Sequence, residues 1–243
     1  MVDPQQIAVS LLLNGIFALA KTKYHARHVA WTNFSALLAG RFSLPIATIS
    51  LQRQGDLDLL LCCIEDEFEA NKVATAADSI GVDFAFHYQI MFSESWIIGC
   101  YEILRAFRQR DRESKQGADG VSALSSFKSL MTALELLRMP LAKYEIAKDK
   151  EMTQPLHLVR RPRNNDAADN HVYDKDDPGR SHFMPTGVSA RGSVTWLAID
   201  HAIPREHWIE RRDLADRLLA LGDEIVPAGI LEAQRAAARN DGS

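Results

Sequence analysis

His87, Glu94, Tyr101 and Arg108 follow one another at seven-residue intervals in the stretch DFAFHYQIMFSESWIIGCYEILRAFRQRDRE, residues 83–113. At 100° per residue such positions drift by only about 20° per step, so they form one narrow line along a helix. Arg105 and Arg112 flank it. A polar line on a helix that is otherwise apolar could wall a pocket, with His87 as acid or base near neutral pH and the arginines holding an anion. The catalytic candidates are therefore His87, Glu94, Tyr101 and Arg105, with Arg108 as a binding residue. The simpler reading of the same line, and the one favoured because a site needs residues converging from other elements, is a solvent-facing seam or an ion-pair ladder, and Glu102 and Arg105, three residues apart, can simply pair with each other.

The strongest basic cluster is LVRRPRNN, residues 158–165, in which Arg160, Arg161 and Arg163 could grip phosphates. Asp166, Asp169, Asp174, Asp176 and Asp177 follow closely, a mixture typical of a solvated linker. Other chemistries lack an anchor. The closest histidine groupings are His25 with His28, and Asp200 and His201 with His207. Neither supplies three ligands at a recognised metal spacing, so no metal and no cofactor are expected. Cys62, Cys63 and Cys100 lie on apolar helix faces, where thiols are normally inert. There is no Gly-x-Ser-x-Gly elbow and no phosphate-binding glycine loop.

Arg138 with Tyr144 in RMPLAKY, and Arg163 with His171, are the nearest approaches to an Arg followed four to six residues later by His. That spacing marks the HEPN group of helical RNases and defence proteins, which the helices of residues 56–149 resemble in architecture. The resemblance implies a chain without that catalytic chemistry, because the spacing occurs at no arginine.

The composition, 47% hydrophobic and 25% charged, is that of an ordinary globular protein. A net charge of -4 argues against a surface given over to nucleic acid. Charge is unevenly spread: residues 51–100 hold two Lys/Arg against nine Asp/Glu, and residues 101–150 hold ten against seven. An odd number of cysteines, two of them adjacent, suits a reducing compartment and a cytoplasmic location. The apolar run Ile7–Ala20 lacks the positive leader of a secretory signal and is too short to span a bilayer, so it reads as an amphipathic or buried helix, and no membrane partner is expected.

The elements that must position these residues are mostly helical. Asp3 and Pro4 would open a first helix reaching Lys23. A second ends near Gly40. Residues 46–51, IATISL, fit a strand or a packed linker equally well. From Asp56 a helix runs towards Gly81, with Leu57, Leu60, Leu61, Ile64 and Phe68 inside and Glu65, Asp66, Glu67 and Glu69 outside. It should pair antiparallel with the central helix of residues 83–113. Ser122 would cap the next helix, and Pro140 would end or kink it at Met139 before a short helical restart.

Residues 152–191 read as a polar connection without regular structure. A β-hairpin follows, with Val194, Trp196 and Ala198 on one face, then a short helix capped by Asp213 and ended by Gly222, then a last helix.

The whole predicts a mainly α protein: an antiparallel helical bundle core over 1–150, a long polar loop or linker over 151–191, and over 192–243 a β-hairpin plus C-terminal helices packing on the core. The expected function is that of a non-enzymatic interaction or regulatory protein that self-associates, through the central helix or that of residues 122–139, and that has a protein partner. The alternative is an enzyme or binder acting on RNA or a phosphorylated small molecule.

Overall fold

The computed structural model describes residues 8–42, 45–75, 84–113, 120–160, 169–201 and 205–240. It is mainly α, with six α-helices among those residues and two small antiparallel sheets towards the C-terminal end. The helices are α1 (Val9–Lys23), α2 (His25–Phe42), α3 (Pro45–Thr75), α4 (Phe84–Glu113), α5 (Ser125–Lys143) and α6 (Arg211–Asn240). The strands are β1 (Leu156–Arg160), β2 (Asp169–Tyr173), β3 (Thr186–Val188), β4 (Val194–Asp200) and β5 (Arg205–Glu210).

The hub is α3, which packs against α1, α2 and α4. It is longer than the hydrophobic pattern suggests. Residues 46–51, with their β-branched side chains, are its first turns, because tertiary packing outweighs a weak local preference against helix. The pairing of α3 with α4 is antiparallel: Phe68 meets Phe86 at 5.9 Å between ring centroids, and the Trp96 indole N–H donates to the Gln54 carbonyl at 3.1 Å. The apolar side of α4 is buried as its periodicity requires, through Trp96, Ile97, Cys100, Leu104 and Phe107. Phe127, Leu130, Leu134 and Leu137 of α5 join the same core.

Helix ends depart from expectation where backbone groups find other partners. Helix α1 begins at Val9 after an extended Ala8; the proposed Asp3 and Pro4 start lies outside the described residues. Helix α5 begins at Ser125 rather than Ser122. Residues Val121–Ala123 form a 3-10 turn, and the Ser122 amide is held at 2.8 Å by the Asp111 carboxylate. Pro140 does not stop α5, since it sits in the last turn, where only one backbone bond is forfeited. The helix ends instead at Tyr144, a left-handed residue (φ 58°) whose N–H bonds the Pro140 carbonyl at 2.9 Å. The sequence after it forms a 3-10 turn, Asp149–Glu151, rather than a restarted helix.

The connection after residue 152 is structured in its described part, carrying β1, β2 and β3. Tyr173 and Asp149 organise it. The Tyr173 hydroxyl donates to Asp149 at 2.9 Å and accepts from the Ile146 amide at 3.1 Å, and Arg180 bridges Asp149 and Glu145 at 2.9 and 3.0 Å. The hairpin β4–β5 lies where period-two alternation places it, with Trp196 opposite Ile209 and with Val194, Trp196 and Ala198 buried in the helical core. The last two expected helices are one, α6, running through Gly222 and Pro227. Gly222 acts as a packing position: a Cβ there would lie 3.0 Å from the Phe34 ring, so its lack of a side chain lets α6 approach α2.

Candidate functional site

The polar line of α4 does not converge. His87 to Arg108 spans twenty-one residues, which at 1.5 Å per residue is roughly 32 Å along the axis, too far to serve one small ligand. His87 is exposed, its ring edge-on to Tyr88 at 5.9 Å. Glu94 is half-buried. Burial pushes its carboxyl above the ordinary range, and the His87 charge opposes that shift. Tyr101 is buried with the Arg138 guanidinium 5.5 Å above its ring, and burial first, Glu135 second, raise its hydroxyl. Arg105 donates to Glu102 at 2.8 Å, and Glu102 also accepts from Arg138 at 3.0 Å. Arg108 lines a separate pocket between α4 and α5. The backbone of Arg160 belongs to β1, whereas Arg161 and Arg163 lie outside the described residues.

What sequence reasoning misses is a closed ionic core. Asp58, Cys62 and Glu65 recur at spacings of four and three residues on α3 and so share a face. That face meets Arg211 in the first turn of α6, together with Arg27 and Trp31, four apart on α2. Asp58, Glu65 and Arg211 are fully buried, so Glu65 does not cover the outside of its helix. Asp58 accepts from both Arg27 and Arg211 and from the Trp31 indole N–H at 2.7 Å. Glu65 accepts from Arg211 Nε and Nη2 at 3.0 and 2.7 Å, and the guanidinium lies 5.6 Å from the Trp96 ring. Burial alone would raise the Asp58 carboxyl, but the Arg211 and Arg27 charges outweigh it and hold the group below the usual carboxylate range. Burial pushes the Cys62 thiol up to about 12, helped by Asp58. Asp58, Cys62, Glu65 and Arg211 are shut off from water and each charge is answered, so with Arg27 at the edge these groups join α2, α3 and α6 as a structural staple and not as a site for proton transfer or nucleophilic attack.

An ion-pair chain continues from this core to the surface. Arg27 bridges to Asp216 at 2.6 Å, Asp216 to Arg191 at 3.0 Å, and Arg191 to Glu210 at 3.0 Å. Nearby, a cleft of about 480 Å³ between α5, β4–β5 and α6 contains Asp200, His207, Glu210, Asp213 and Arg217. Asp200 and His207 of the sequence grouping both line this cleft and His201 does not, and no set of three His, Cys, Asp or Glu among the described residues could hold a metal ion.

The most conspicuous exposed feature is α1. Of its described residues only Ala20 is buried, against Leu59 and Cys63 of α3. Lys21–Asp56 at 2.9 Å and Lys23–Asp66 at 2.7 Å hold the same end. Val9, Leu11, Leu12, Leu13 and Leu19 stand 48–71% exposed, so α1 is not buried; its packed side is confined to the half-buried Ile16 and Phe17 and the buried Ala20. Val29, Ile46 and Ile49 are exposed as well. Among the described residues no helix is long and apolar enough to cross a membrane. No known family model, curated protein or solved structure matches the chain, so the HEPN comparison rests on helical architecture alone.

Proposed function

We propose that this is a non-enzymatic interaction protein that self-associates through α1. The observation that carries this reading is the exposure of five large aliphatic side chains on α1, three of which, Leu11, Leu12 and Leu19, share one side of the helix. Scattered exposed leucines need no explanation, but a helix presenting them around its first turns is a surface that water does not favour. Charged residues are absent from Val9 to Ala20, which suits contact with an identical apolar helix. Paired across a two-fold axis, α1 meets its own surface and the contact closes as a dimer.

Leu11, Leu12 and Leu19 share the side of α1 turned away from α3, and their exposed fractions amount to about two complete aliphatic side chains per copy, worth roughly 3–6 kcal/mol if buried. Two copies contribute twice that, against an association cost of about 4–15 kcal/mol, which is compatible with a micromolar dimer. The apolar face of α5 is occupied by the protein's own core, so α1 replaces the helix of residues 122–139 as the proposed contact. Three free, buried thiols support a cytoplasmic setting.

Light scattering across a concentration series tests the proposal. The native chain should move from monomer to dimer in the micromolar range, and Leu12→Asp with Leu19→Asp should stay monomeric with unchanged helicity. A native chain that remains monomeric at about 100 μM, well above the expected dissociation constant, refutes it.

A further inference from the structure

We infer that the pocket between α4 and α5 binds a small phosphate monoester. Arg108 and Arg112 of α4, Lys128 of α5 and Lys148 beyond it line a cavity of about 230 Å³, with Glu135 as its one carboxylate. Four cations to one anion is a marked excess in a chain whose net charge is -4. Elsewhere the arginines that position helices, such as Arg27, Arg138, Arg180 and Arg211, have carboxylate partners within 3.0 Å. Arg108, Arg112 and Lys128 have no ion pair among the described residues, and Lys148 reaches only Glu135, at 3.9 Å. Arg108 and Arg112 are also four apart on one helix, where like charges repel unless an anion lies between them.

Lys148 adds an independent observation. Its backbone is left-handed, φ 57° and ψ 28°, a conformation that glycine or asparagine adopts at lower cost than lysine. A structural role for this turn would be better served by glycine. The side chain is what lysine adds, and it faces the same cavity as the two arginines.

The remaining lining sets the ligand class. Paired guanidinium groups recognise phosphate oxygens through forked, charge-assisted hydrogen bonds. Thr132 offers a hydroxyl, Glu135 can accept from a ligand hydroxyl, and Phe127 and Met131 form an apolar floor. The volume lies below the range of about 300–1,000 Å³ usual for drug-sized ligands, which favours a phosphate on a small hydroxylated body over a dinucleotide or a nucleic-acid strand. The inference concerns binding alone.

Calorimetric titration of the full chain with ribose 5-phosphate tests this, with ribose, inorganic phosphate and a short single-stranded RNA as parallel arms. The expected result is one site for ribose 5-phosphate, weaker for inorganic phosphate, with no binding of ribose. Affinity should fall at least about tenfold in Arg108→Gln and in Lys128→Gln, the loss of one charge-assisted contact. Lys148→Gly separates ligand from scaffold: its melting temperature should hold or rise while affinity falls by a similar factor. The proposal is overturned if ribose 5-phosphate does not bind at millimolar concentration, if the variants leave its affinity unchanged, or if inorganic phosphate or RNA binds more tightly. None of these outcomes depends on self-association.

Discussion

Replacing Arg211 by methionine should be among the most destabilising single changes available to this protein. The substitution keeps an unbranched apolar stem but removes the guanidinium that answers Asp58 and Glu65, all three being fully buried. Asp58 keeps Arg27 and the Trp31 indole, so its loss is partial. Glu65 keeps only Arg212, at 3.5 Å. Breaking a buried pair by removing one partner costs about 3–5 kcal/mol, and loss of the cation over Trp96 adds about 1 kcal/mol. Out of a total stability of roughly 5–15 kcal/mol this is a large share, and for a chain of this size it lowers Tm by roughly 8–24 °C.

Urea unfolding at several pH values is the assay. In the native protein the Asp58 carboxyl lies below its unfolded value, so its contribution is complete above about pH 4 and is lost as pH falls through the folded value. In Arg211→Met the uncompensated carboxylate charge should reverse that trend, and the variant should gain stability as pH falls from about 7 to about 5. A triple variant that also replaces Asp58 and Glu65 by leucine should recover most of the loss, because an apolar core tolerates what an unpaired charge does not. A cost under about 1 kcal/mol in Arg211→Met, or the same pH trend as the native chain, would refute the account of this core as a paired ionic staple.

Three further outcomes follow from neighbouring features. Burial, with His171 adding repulsion, lowers His182 from 6.5 to about 4, so the folded state disfavours its protonation. Stability should therefore be unaffected by this group above about pH 6.5 and decline as pH falls towards 4, and His182→Phe should flatten that window in thermal melts. Gly192→Ala should destabilise by more than about 2 kcal/mol in urea, since φ is +74° and a Cβ would lie 2.4 Å from the Glu65 carbonyl. All three cysteines are buried with thiols raised by burial, so a thiol reagent should label none in the native protein and all three in denaturant.

The sequence discloses those elements whose own residues decide them. Helix α4 is legible because Trp96, Cys100, Leu104 and Phe107 recur with a helical period, and β4 because Val194, Trp196 and Ala198 alternate. The misread positions depend on distant partners. Glu65 sits among three other acidic residues and looks solvated, yet its partner Arg211 is 146 residues away. Gly222 looks like a helix stop, but its meaning is set by Phe34. Residues 152–191 look unstructured because the order of their described part comes from single anchors, Tyr173 and Arg180 on Asp149, with little periodic apolar content. Of the described residues singled out on α4, Arg108 and Arg112 reach a pocket; that Lys148 joins them there depends on how α5 ends, which Pro140 obscured.

Self-association through α1 is tested most directly by a distance between copies. A spin label on Ala18→Cys, an exposed position on the Leu11 and Leu19 side of α1, should couple to nothing within one chain, because the native thiols are buried. Helices that pack face to face lie about 8–10 Å apart, so with the reach of the labels a single intermolecular distance near 20 Å is predicted. It should vanish when labelled protein is diluted with unlabelled copies. A monomeric decay with no defined distance, in protein at concentrations where light scattering reports a dimer, would contradict the account and move the contact away from α1.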